Sequence, residues 1–196
     1  MTKQIIIILS IFTFTLGTIP QEQENSISGS IEPYQDILDE LNYKYGAELY
    51  ILSFKEFNKL EMKEIYGSYN EYIGIITSSS LDDFYKSSLS MINIEDTYNY
   101  KIEKNLRATL GDKTVYFNAA RNSMTLKYKY DGKKFDVNYK PVATVKKIDY
   151  ISFFDMTSYT GAFANKNSTY SVTAKGKVYS SMGVVQNKTF TVNFNL

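Results

Sequence analysis

A chain of 196 residues with a net charge of +1 and no Cys, His or Trp is long enough for one domain or two small ones. Without Cys there is no disulfide framework, thiol nucleophile or lipidated cysteine, and without His there is no Ser-His-Asp triad, imidazole base or His-held zinc or haem. Calcium-loop, Gly-rich phosphate-loop and Ser-x-x-Lys patterns are missing as well. Enzyme chemistry would therefore rest on carboxylates, tyrosines or lysines, and no catalytic residue, cofactor or metal is expected.

Taken in chain order, residues 1–17 read as a secretory signal peptide. Lys3 supplies the charged start, Ile5 to Leu16 the apolar run, and Thr15 with Gly17 the small residues before cleavage. The run falls short of the roughly 20 apolar residues that cross a bilayer, so membrane contact is expected only during export. Residues 18–32 read as a flexible linker.

An acidic helical part is predicted over 33–103. From Gln21 to Glu103 sixteen carboxylates face six lysines, a balance of −10. Pro33 suits the first turn of a helix. Tyr34, Ile37, Leu38, Leu41 and Tyr45 follow at helical spacing, and Gly46 is placed to cap the end. Leu49 to Leu52 reads as a short strand. Phe54 to Ile73 is helical in part, interrupted at Gly67. Ser80 and Asp83 start the next helix in the manner of a capping box. Its face is predicted to carry Leu81, Phe84, Tyr85, Ser88, Leu89 and Ile92.

From Lys104 to Leu196 fifteen Lys and Arg face five Asp, a balance of +10, and the pattern changes to strands. Val115, Phe117 and Ala119 share one face; Met124, Leu126, Tyr128 and Tyr130 share another. Asp131-Gly132 predicts a two-residue hairpin that sets Tyr128 opposite Phe135, Leu126 opposite Val137 and Met124 opposite Tyr139. Further strands are expected at Ile148–Asp155, Ser168–Tyr179 and Thr189–Leu196. The fold class is thus α+β, with an antiparallel β module over 104–196, either a sandwich or a strongly twisted sheet.

The segment Pro33 to Leu52, with Leu41-Asn42, Gly46 and Leu49-Tyr50-Ile51, resembles an element near the N-terminus of small secreted proteins of Gram-positive bacteria. There a helix ending in a Leu-Asn…Gly turn leads into a short strand, with a β-rich part further on. The resemblance implies bacterial origin and export. It assigns no site residues.

The candidate site is the basic face of the predicted hairpin: Lys127, Lys129, Lys133 and Lys134. Lys129 opposite Lys134 would be a like-charged pair that costs stability in an ordinary sheet, with Lys127 opposite Asp136. Such a face suits an anionic cell-surface polymer or an extracellular protein partner. A solvated edge-protecting face and docking of the acidic half are the competing structural readings. A nearly neutral chain with only two arginines, Arg107 and Arg121, argues against nucleic acid. The alternative function is a secreted hydrolase using carboxylates from separate strands, for which Asp82-Asp83, Glu95-Asp96 and Asp155 are the candidates. Asp155, in an apolar run, reads either as a buried acid or as the end of a strand.

Overall fold

Burial of one stripe of residues organises the helical part. The computed structural model describes residues 21–60, 62–102, 109–149 and 152–196. The signal segment and the junction at Lys104 lie outside them. Helix α1 (Gln21–Tyr45) buries Tyr34, Leu38 and Leu41. It begins twelve residues before Pro33, so that proline lies inside the helix, and residues 21–32 are helical where a linker was expected. Proline removes one N–H and crowds the preceding turn, which gives the sequence a false helix start there. Ile31, packed against the core, favours continuation through it. Gly46 ends α1 at φ +64°, and its N–H donates to the Asn42 carbonyl at 2.8 Å. The Asn42 amide then pairs with the Leu49 backbone in both directions, each bond 2.8 Å. That is the physical content of the Leu-Asn…Gly element: a side chain serves as strand partner for β1 (Leu49–Ile51).

Helices α2 (Phe54–Lys59) and α4 (Tyr69–Thr77) each start with a capping box, Ser53 with Glu56 and Ser68 with Glu71. Hydrogen bonds from those serines hold both carboxyls below the usual carboxylate range. The short α3 (Lys63–Tyr66) stops at Gly67, φ +76°. Helix α5 (Leu81–Ile92) buries Phe84, Ser88 and Met91, whereas Leu81, expected on the buried stripe, is exposed. Phe57, Tyr66, Tyr69 and Tyr72 form one aromatic cluster. From it the buried Tyr72 hydroxyl donates to the Gly183 carbonyl at 2.7 Å and accepts from the Leu52 N–H at 2.8 Å.

Two sheets follow. In the larger, β6 (Phe153–Ala164), β7 (Thr169–Tyr179) and β8 (Val184–Asn195) run antiparallel. Along the other edge of β8 lie β1, antiparallel, and β2 (Thr97–Lys101), parallel and not foreseen from the sequence. The acidic half thus supplies two strands to the basic half's sheet. Lys188 of β8 reinforces this join. Its buried ammonium donates to the carbonyls of Met91 and Ile94, at 3.3 and 2.8 Å, and pairs with Asp96 at 3.0 Å. A cation thereby meets the negative end of α5.

The smaller sheet has the order β3 (Thr109–Phe117), β4 (Asn122–Tyr130), β5 (Val142–Lys147). Phe117 from this sheet meets Phe154 and Phe190 of the larger edge-to-face, with ring centroids 5.8 and 5.2 Å apart. The structure overturns the expected two-residue hairpin at Asp131-Gly132. Asp131 accepts from the N–H groups of Lys133 and Lys134, closing a four-residue loop, and pairing beyond it is a single bridge, Tyr130 with Phe135. Phe135 donates its N–H to the Asn167 carbonyl and is buried against Tyr128, Phe163 and Tyr170. That burial draws the chain away from β4, and β5 takes the vacated edge, with Ala143 opposite Leu126 and Val145 opposite Met124.

Two tight turns hold three consecutive left-handed residues each, Asn118-Ala119-Ala120 and Asn165-Lys166-Asn167. Ala119, predicted to share the Val115 face, therefore lies exposed in a turn. A left-handed alanine costs about 1–2 kcal/mol, more than the added unfolded-state entropy of glycine. Ala120→Gly is expected to raise the melting temperature by roughly 2 °C, measured by calorimetry.

Candidate functional site

The outward face of the three-stranded sheet carries the lysines. Strand alternation sets Thr125, Lys127 and Lys129 of β4 on it, with Lys127 and Lys129 exposed. Neither cross-strand pair expected from the hairpin exists. Lys127 lies opposite Asp112 and Val142, and Lys129 opposite Leu110. Lys129 instead reaches Asp136 at 3.2 Å. Lys133 and Lys134 are exposed in the loop that closes the end of β4. The four residues are thus gathered on one strand and its turn, and the face is open rather than covered by the acidic half.

Three carboxylates temper its charge. Asp131 is held below the usual carboxylate range by the N–H groups of Lys133 and Lys134. Asp136 is held there by the Asn138 N–H and then by Lys129. Asp112 is the cross-strand neighbour of Lys127. Lys146, opposite Ser123, adds a further exposed cation.

The sequence reading missed the threonine row, Leu110 and Val142 on this face. Thr114, Thr125 and Thr144 form a row across the three strands, with the Thr114 and Thr125 hydroxyls 2.8 Å apart. Leu110, Tyr116 and Val142 are exposed on the same side, at 69%, 57% and 47%. Val142 was hidden because its strand was not recognised.

Four of the five candidate carboxylates have structural occupations. Asp82 pairs with Lys86 one helical turn on, Asp83 accepts from Ser80 at 2.7 Å, and Asp96 pairs with Lys188. Asp155 is not a buried acid: it is about half exposed on β6 and pairs with Lys147 at 3.5 Å.

No family model and no curated protein matches the sequence. Among solved structures, the chain is similar to a two-domain protein of unknown function from Bacteroides thetaiotaomicron. The match has 13% identity, covers 91% of this chain and 84% of that one, and has a TM-score of 0.29. A likeness at this level carries no argument about fold or function.

Proposed function

We propose that this is an exported, non-catalytic bacterial protein that binds an anionic cell-surface polymer through the open face of its three-stranded sheet. The observation that supports the reading is the exposure of Lys127, Lys129, Lys133 and Lys134 on one strand and its turn. Lys146 and a row of threonine hydroxyls lie beside them. Lysines give long-range attraction, and hydroxyls give hydrogen bonds to phosphate or carboxylate oxygens once the polymer is seated. The carboxylate hydrolase is the weaker alternative, since Asp82, Asp83, Asp96 and Asp155 all have structural partners.

Changing the four lysines to Gln together is expected to abolish retention on teichoic-acid-bearing cell walls. The melting temperature should move by no more than about 4 °C, because the exposed Lys129–Asp136 pair contributes at most roughly 1 kcal/mol. Wild-type binding should weaken steeply with salt, since such contacts are screened over about 8 Å at physiological ionic strength. Retention that is indifferent to salt, or absent in the wild type, would sink the proposal and leave an extracellular protein partner as the use of this face.

A further inference from the structure

Strand β6 forms an outer edge of the larger sheet and pairs with β7 alone among the described residues. Alternation turns the N–H and C=O of every second residue away from β7. Phe154 is one of these, since its N–H and C=O meet the Asn122 side chain. Phe154 and Met156 lie opposite Val178 and Gly176 of β7. Past the bulge at Thr157, the same alternation along β7 sets Tyr159, Gly161 and Phe163 opposite Ala174, Val172 and Tyr170. These three residues therefore also direct their backbone groups outward, where no described residue takes them. Asn122 occupies the first part of the edge and leaves the rest bare.

Sheet edges are ordinarily guarded by charge, proline or shortness, because bare backbone groups recruit another strand. The other outer strands follow that rule. Strand β1 has three residues, β2 carries Lys101, β3 carries Asp112 and Lys113, and β5 ends in Lys146-Lys147. Strand β6 departs from it. Residues 156–164 contain no charge and no proline, and 157–162 are exposed on both faces of the strand. Its bulge precedes the free stretch.

That neutrality also selects the occupant. A two-fold axis sets an edge against its own copy, so a charged edge repels itself and an uncharged one does not. We propose that β6 pairs antiparallel with β6 of a second copy of this chain, about a two-fold axis at Thr160. In this register Tyr159 and Gly161 of the two copies face each other. Both direct their backbone groups outward, so each such pair exchanges two hydrogen bonds. Thr160 meets Thr160, a favourable cross-strand pair, and the Tyr159 ring covers the glycine of the other copy. The pairing does not rest on the polymer-binding reading and uses no residue of the lysine face.

Analytical ultracentrifugation of the purified protein tests it. Raising the concentration from about 10 μM to about 1 mM should carry the protein from monomer toward dimer, as suits an interface below the standard size. Thr160→Lys sets two ammonium groups together at the axis and should keep the protein monomeric over that range. Its melting temperature at the lowest concentration should move by no more than about 4 °C, since the side chain is exposed. Register is read by cysteine cross-linking, which is clean because the chain has no Cys. Thr160→Cys places two thiols at a pair with Cα atoms about 4.5 Å apart, within disulfide reach. Ser158→Cys places its two copies about 13 Å apart along the strands, out of reach. Under mild oxidation the first should form covalent dimer at least about tenfold faster than the second. If Thr160→Lys proves unstable, the cysteine pair decides. A protein monomeric at every concentration, a dimer untouched by Thr160→Lys, or equal cross-linking at both positions overturns the proposal.

Discussion

Raising the pH through 10 toward 12 is expected to unfold the protein in a steep cooperative step. Three core tyrosines set the step. Burial pushes the Tyr66 hydroxyl up to about 12, and burial likewise raises Tyr72 and Tyr179. Asp155 adds to the effect on Tyr179. An unfolded tyrosine releases its proton near pH 10, so between there and the folded values the native state holds protons that the unfolded chain has lost. Stability is therefore complete below pH 10 and falls above it. Each tyrosine contributes a slope of about 1.4 kcal/mol per pH unit. Three together would cancel an ordinary stability of roughly 5–15 kcal/mol within a few units. Urea titrations at successive pH values measure the slope directly. Tyr179→Phe isolates one contribution: its hydroxyl has no partner among the described residues. That variant should match the wild type at pH 7 and lose stability less steeply above pH 10. A slope unchanged by the substitution would mean that Tyr179 ionises as it does in the unfolded chain.

The tyrosines also show where sequence reading succeeds and stops. The β4 face was legible because Met124, Leu126, Tyr128 and Tyr130 alternate without interruption, and all four are buried. The α1 stripe was legible from Leu38 and Leu41 for the same reason of periodicity. The start of α1 was not, since proline looks like a boundary wherever tertiary burial does not override it. Ser53-x-x-Glu56 and Ser68-x-x-Glu71 were available as start signals within the segment Phe54 to Ile73, which was read only as helical in part. Strand β2 could not be found, because its parallel pairing with β8 joins residues almost a hundred positions apart. The hairpin error has a definite cause. Asp-Gly fixes a local turn, but Phe135 gains more by burial against Phe163 and Tyr170 than by continuing a ladder with β4. The exposure of Lys127 and Lys129 was legible despite that error, because it follows from alternation along β4, whatever strand lies beside it.

Asn122→Ala is expected to cost about 3–5 kcal/mol, near the top of the range for a single substitution. Asn122 is fully buried at the start of β4, yet it behaves as a strand partner for the other sheet. Its Oδ1 accepts from the Phe154 N–H at 2.8 Å, and its Nδ2 donates to the Phe154 carbonyl at 2.9 Å. Asn118 holds the amide in place, donating to the same Oδ1 at 3.0 Å. Truncation to Ala strips β6 of both bonds where water has no access, and each orphaned group carries a penalty of about 1–3 kcal/mol. Asn122→Asp is the sharper probe. It keeps an acceptor for the Phe154 N–H but sets a second oxygen against the Phe154 carbonyl, so it should rescue little of the loss. Because β8 is joined to the acidic half through β1, β2 and Lys188, weakening the link between the sheets should lower one shared transition rather than release a separate module. Equilibrium urea unfolding followed by both tyrosine fluorescence and far-UV dichroism makes the measurement. A loss below about 1 kcal/mol would mean that packing of Phe117 on Phe154 and Phe190 holds the sheets together by itself, since an ordinary exposed substitution costs no more than that. Coincident curves shifted to lower urea would show that a single amide, reaching from one sheet to the other, helps make the two sheets one cooperative unit.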